Sequence, residues 1–167
     1  MVEVKSLSFG ETFGYKGLMD VKSLYKMIDK WFKDHGYDKV ELNNYDEVYE
    51  DGKQLRLKLR PFKKISDYAK VEIQVEAVLS KCQEVVVTKD KVKLKLMKGD
   101  AKFKFDTFLT TDYEGSWESK PLYFFFKTIA EKFLYRSVID QYEQQALRDK
   151  DELKREIKSF LNMERFR

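Results

Sequence analysis

Few residues in this chain could carry covalent or metal chemistry. It has one histidine, His35, and one cysteine, Cys82, in 167 residues. That count excludes a multi-histidine metal site, a mechanism needing two histidines, a thiolate cluster and an internal disulfide. A Cys–His dyad would require Cys82, in the turn-like stretch SKCQ, to meet His35, and nothing in their spacing brings them together. His35 falls at the edge of an apolar helical stripe near a helix C-terminus, where a partly charged imidazole is favoured, so a structural role is the plainer reading. No glycine-rich phosphate loop, nucleophile elbow or zinc-protease motif occurs. No catalytic residue, metal ligand or cofactor is assigned.

Three features remain. Glu72 and Glu76 lie on the outward side of VEIQVEAVL, beside basic strands, and read as solvated cross-strand partners rather than a general acid and base. The loop DYEGSWESKP, residues 112–121, gathers Tyr113, Glu114 and Trp117; it is either a site at one end of the core or a capping loop plugged by Trp117. The third feature is KVKLKLMKGDAKFKF, residues 91–105. Read as a hairpin around Gly99-Asp100, it sets Lys91, Lys93, Lys95, Lys102 and Lys104 on one face. Val92, Leu94, Leu96, Phe103 and Phe105 take the other. Like charges across a hairpin invite an anionic partner. Lysines also keep a sheet face solvated and block edge pairing, so both readings stand. Nucleic acid is the weaker partner reading: that face lacks interleaved aromatics, and the net charge is only +4.

The elements that must position these residues follow from periodicity. Val2 and Val4 alternate with Glu3 and Lys5 in a short strand over 2–9, followed by the glycine-bearing loop GETFGYKG. Asp20 caps a helix over 20–35 whose stripe runs through Val21, Leu24, Ile28, Trp31 and Phe32, and Gly36 stops it. The period then becomes two. Strands are predicted at 39–50, 55–60, 71–79, 84–88, 92–97 and 101–109, with a tight turn at Asp51-Gly52. Arg56, Lys58 and Arg60 should find acidic neighbours in Glu72 and Glu76. From Leu122 a strongly apolar helix is predicted, breaking near Arg148, with Asp149 and Glu152 restarting a shorter amphipathic helix. Residues 1–147 thus read as one α+β domain and 148–167 as an appended amphipathic helix.

The composition is 43% hydrophobic and 15% aromatic, with 13 Phe and 10 Tyr. That aromatic surplus suggests a hollow on the order of 300 Å³ or more, although the same rings could fill it. MVEVKSLSFG has no apolar run fit for a signal peptide. LYFFF at 122–126 is far too short to span a bilayer, so a soluble cytoplasmic protein without a transmembrane segment is expected.

A strand, a helical segment, six further antiparallel strands and a long C-terminal helix make an order that resembles the helix-grip fold of the START-like (SRPBCC) superfamily. The resemblance covers roughly residues 1–147 and rests on element order. The chain departs from it in having only Asp51-Gly52 where the pollen-allergen branch carries a glycine-rich loop. The resemblance implies a curved sheet of about seven strands around the C-terminal helix, with a hydrophobic ligand between them in many members. On this chain the sheet side of that site would be Leu94, Leu96, Phe103 and Phe105. Trp117 would lie at one end, and Phe125, Phe126 and Ile129 on the helix. A non-enzymatic binding domain is expected, holding a hydrophobic small molecule or binding a protein partner with a filled core. The alternatives are a cyclase- or hydrolase-type enzyme of that superfamily, and an RNA- or phosphate-contacting accessory protein using the lysines.

Overall fold

Asp20 does open the first helix. Its carboxylate accepts from the Ser23 backbone N–H at 3.0 Å and from the Ser23 hydroxyl at 2.7 Å. In the computed structural model, which describes residues 2–38, 41–50, 52–66, 69–89, 91–113 and 136–165, this helix is α1, Val21–Asp34. It ends through Gly36, at φ +74, with Gly36 N–H on the Lys33 carbonyl at 3.0 Å and Tyr37 N–H on the Phe32 carbonyl at 2.9 Å. Those two bonds satisfy carbonyls the last turn would otherwise leave open, and a residue with a Cβ would be strained at that φ. Leu24, Ile28, Trp31 and Phe32 form its buried face.

The six described strands form one open antiparallel sheet: β1 Glu3–Met19, β2 Glu41–Tyr49, β3 Gly52–Leu59, β4 Phe62–Lys64, β5 Ala69–Lys89 and β6 Val92–Thr111. Their order is β1-β6-β5-β3-β2, with β4 paired to the side of β5. Six strands replace the seven predicted, for three reasons. The two strands expected at 71–79 and 84–88 are one, β5. Those expected at 92–97 and 101–109 are also one, β6, so Gly99-Asp100 is not a turn. The short β4 was not foreseen. The expected loop GETFGYKG is likewise strand: Phe13 and Tyr15 pack against the core while Thr12, Gly14 and Lys16 are exposed.

What looked like turn chemistry is a bulge. Between Ser80 and Gln83 the register of β5 against β6 slips by one residue, and Lys81 takes φ +54. Gly99 on β6 lies against this bulge: a Cβ there would stand 2.8 Å from the Ser80 carbonyl oxygen and 2.9 Å from Cys82 Sγ. Glycine serves close backbone approach here rather than chain reversal. Gly99→Ala should therefore destabilise the fold by roughly 1–3 kcal/mol, read from the urea midpoint. Adding Cys82→Ala should recover only part of that, because the Ser80 carbonyl remains. A midpoint unmoved by Gly99→Ala would contradict the packing of the bulge.

The helices share one face of the sheet. Ile73, Val75, Ala77 and Leu79 of β5 and Ala101, Phe103 and Phe105 of β6 supply its floor. The second described helix, α2, Arg136–Arg165, adds Ala146, Leu153, Ile157 and Leu161 to the same cluster and packs chiefly on β1. The break expected at Arg148 is absent. Asp149 does not cap a new helix; it is buried in mid-helix, accepting from the Tyr37 hydroxyl at 2.8 Å and from Gln145 Nε2 at 2.7 Å. Burial, and then the Asp149 carboxylate, push the Tyr37 phenol well above its usual range. Among the described residues no helix is long and apolar enough to cross a membrane.

Candidate functional site

Strand alternation decides which face each candidate takes. β6 runs without a register slip of its own, so odd and even positions stay on opposite faces along its length. Phe103 and Phe105 point inward and are fully buried. Leu94 and Leu96 are even-numbered and take the outer face, opposite Val87 and Val85, which corrects their grouping with the two phenylalanines. A hairpin at Gly99-Asp100 would have reset the parity; a continuous strand does not. Trp117, Phe125, Phe126 and Ile129 lie outside the described residues, as does Glu114.

The lysines divide in the same way. Lys93 and Lys95 are on the inward-facing side of β6, beyond the end of the packed core, and both are exposed. Lys102 and Lys104 are on the outer face, and Lys91 sits in the β5–β6 turn at φ +65. They do not form one row. Lys104 lies 3.5 Å from Asp106 and 4.5 Å from the centre of the Phe9 ring. The outer face is largely self-neutralised. Arg56 is paired with Glu76, Arg60 with Glu72 at 2.6 Å, and Lys70 with Glu72 at 2.8 Å. These are the acidic neighbours expected for the first basic strand. Burial alone would raise the pKa of Glu72, but the bonds from Lys70 and Arg60 hold it below the usual carboxylate range. Asp106, 1% exposed, accepts from the Gly10 N–H at 2.7 Å and from Gln74 Nε2 at 3.0 Å.

Neither His35 nor Cys82 is placed for catalysis. The His35 ring stacks on Trp31 with centroids 3.8 Å apart, its Nδ1 is 2.8 Å from the Trp31 carbonyl oxygen and its Nε2 is 3.4 Å from Glu152. Cys82 is buried in the β5 bulge; burial, and then Asp100, raise its pKa, so the thiolate is disfavoured. Among the described residues no three His, Cys, Asp or Glu side chains group as a metal site.

The concave feature that stands out lies elsewhere on the inner face. Beneath α1, on the side away from α2, a trough of about 610 Å³ opens to solvent. Its floor is built by register: Leu55 opposes Leu79, Leu57 opposes Ala77, and Ala77 opposes Phe103. Leu24 and Ile28 of α1 form one wall, and Met19 and Met97, paired across β1 and β6, close one end. Ala77 keeps the floor low between larger neighbours, and α2 contributes no side chain to the lining. Lys22 and Lys26 of α1 and Lys95 of β6 stand at its edge.

Of the residues expected to hold a ligand, Phe103 lines this trough, while Phe105 is enclosed in the core next to it. The sequence reading missed Leu55, Leu57 and the α1 lysines. The signal for the two leucines was present in the alternation of LRLKLR. No protein-family model, curated protein or solved structure matches the chain.

Proposed function

We propose that this chain is a non-enzymatic binding domain of the START-like, helix-grip kind, and that it holds a hydrophobic small molecule in the trough between α1 and the sheet. The observation that carries the reading is the trough itself. Its volume of about 610 Å³ falls within the roughly 300–1,000 Å³ span of small-molecule sites. Its floor and walls are Leu, Ile, Met, Ala and Phe side chains. Burying an apolar ligand against such a surface is favourable by about 25 cal/mol per Å² removed from water. An antiparallel sheet with a C-terminal helix on one face is compatible with the helix-grip arrangement.

The direct test is titration with N-phenyl-1-naphthylamine, an uncharged apolar fluorophore, together with native mass spectrometry of the freshly purified protein. Saturable enhancement at micromolar probe is expected. Leu57→Trp should abolish it by filling the trough, with the far-ultraviolet circular dichroism retained. No saturable binding by the wild-type chain would end the carrier reading.

A further inference from the structure

The edge of the trough carries a charge pattern that its floor does not. Five ionisable residues other than tyrosine lie along the trough: Lys22, Lys26, Lys95, Asp20, and Arg56, whose side chain turns to the outer face. Two are already engaged. Arg56 donates to Glu76 from Nε at 2.8 Å, and Asp20 caps α1 through both Ser23 bonds. Lys22, Lys26 and Lys95 are exposed and have no charged partner among the described residues. Lys22 and Lys26 are one helical turn apart on α1, so their side chains neighbour each other. Lys95 of β6 lines the same trough. Three like charges around a low-dielectric hollow repel one another in the empty protein and reinforce one another toward a negative group.

We infer that the trough takes a single-chain amphiphile with an anionic head, the chain on the leucine floor and a carboxylate or phosphate held at the mouth by Lys22, Lys26 and Lys95. This rests on the binding reading above and names the ligand class of that same site. Lysine suits the role because its ammonium is a mobile point charge that can meet either head group without a fixed geometry. The mouth is wet and partly screened, so the gain is one of selectivity between heads more than of overall affinity.

Displacement of N-phenyl-1-naphthylamine by four twelve-carbon ligands tests this: laurate, dodecyl phosphate, dodecanol and dodecyltrimethylammonium. Laurate or dodecyl phosphate should displace the probe at about tenfold lower concentration than dodecanol at low salt, and the cation should be weakest. Whichever anion is stronger identifies the head as carboxylate or phosphate. In half-molar sodium chloride the advantage should shrink. In the triple variant Lys22→Gln, Lys26→Gln, Lys95→Gln the anions should lose their advantage, and its thermal midpoint serves as the folding control. Dodecanol matching the anions, or selectivity surviving in the triple variant, overturns the anionic-head inference and leaves the trough a carrier of neutral apolar molecules. Failure of the probe and of all four ligands overturns both.

Discussion

Phe105→Ala should cost about 4–5 kcal/mol, and Phe103→Ala about 3 kcal/mol, although both side chains are fully buried in the same strand. The chemistry removed is identical, so the difference comes from what surrounds each ring. Phe105 lies opposite Val75, stacks on Phe13 with centroids 5.9 Å apart, and is closed off within the cluster. Its removal leaves a void that neighbours can fill only by moving. Phe103 stacks on the same Phe13 at 4.8 Å but also lines the trough. Its removal enlarges the adjoining trough, so less of the lost volume becomes closed cavity. Urea unfolding of the two variants measures both values. Equal costs would mean that the space beside Phe103 is closed, and would remove the ground for a binding site there.

That pair of residues also shows how far the sequence could be read. Phe103 and Phe105 were recognisable as inward-facing from alternation alone, as were Val71, Ile73, Val75, Ala77 and Leu79 on β5 and the stripe and caps of α1. Local rules suffice where capping and period agree. They failed at Ser80–Cys82 and at Gly99-Asp100, where the same residue types serve a bulge and a close strand approach as readily as a turn. Every face assignment beyond such a point inherits the choice, because a shift of one position moves a side chain to the other side of the sheet. Leu94, Leu96 and Lys95 were misplaced for that single reason. The edge of the trough was hidden differently: Lys22 and Lys26 are ordinary exposed helix positions until β6 brings Lys95 to the same trough. On α2, Asp149 reads as a helix cap and Lys150 carries no reading, because nothing local announces that Tyr37 and Glu11 will meet them.

The pairing of Glu11 with Lys150 should give sharply unequal results when its two members are removed. Lys150 is 3% exposed, bonded to Glu11, 3.3 Å from the Ser8 hydroxyl and 3.2 Å from Asp151. Glu11 is 36% exposed and has a second cation, Lys154, at 3.1 Å. Glu11→Ala therefore leaves a buried ammonium with only the exposed Asp151 for a counter-charge, and should cost about 3 kcal/mol, the low end for an uncompensated buried charge. Lys150→Met removes the buried charge and keeps the length of the side chain. Glu11 keeps Lys154, Ser8 and water, so this variant should be near neutral, and adding it to Glu11→Ala should restore most of the loss. Acid titration gives an independent check. The bond from Lys150, then that from Ser8, lower the Glu11 pKa to about 2 against the opposing effect of burial. A carboxylate whose folded pKa is depressed adds stability that is complete above its unfolded value near 4.5 and is lost as pH falls toward 2. Between those limits the wild-type protein should lose stability more steeply than Lys150→Met, measured by urea midpoints at fixed ionic strength. Parallel pH profiles for the two proteins would show that Lys150 does not hold the Glu11 carboxylate.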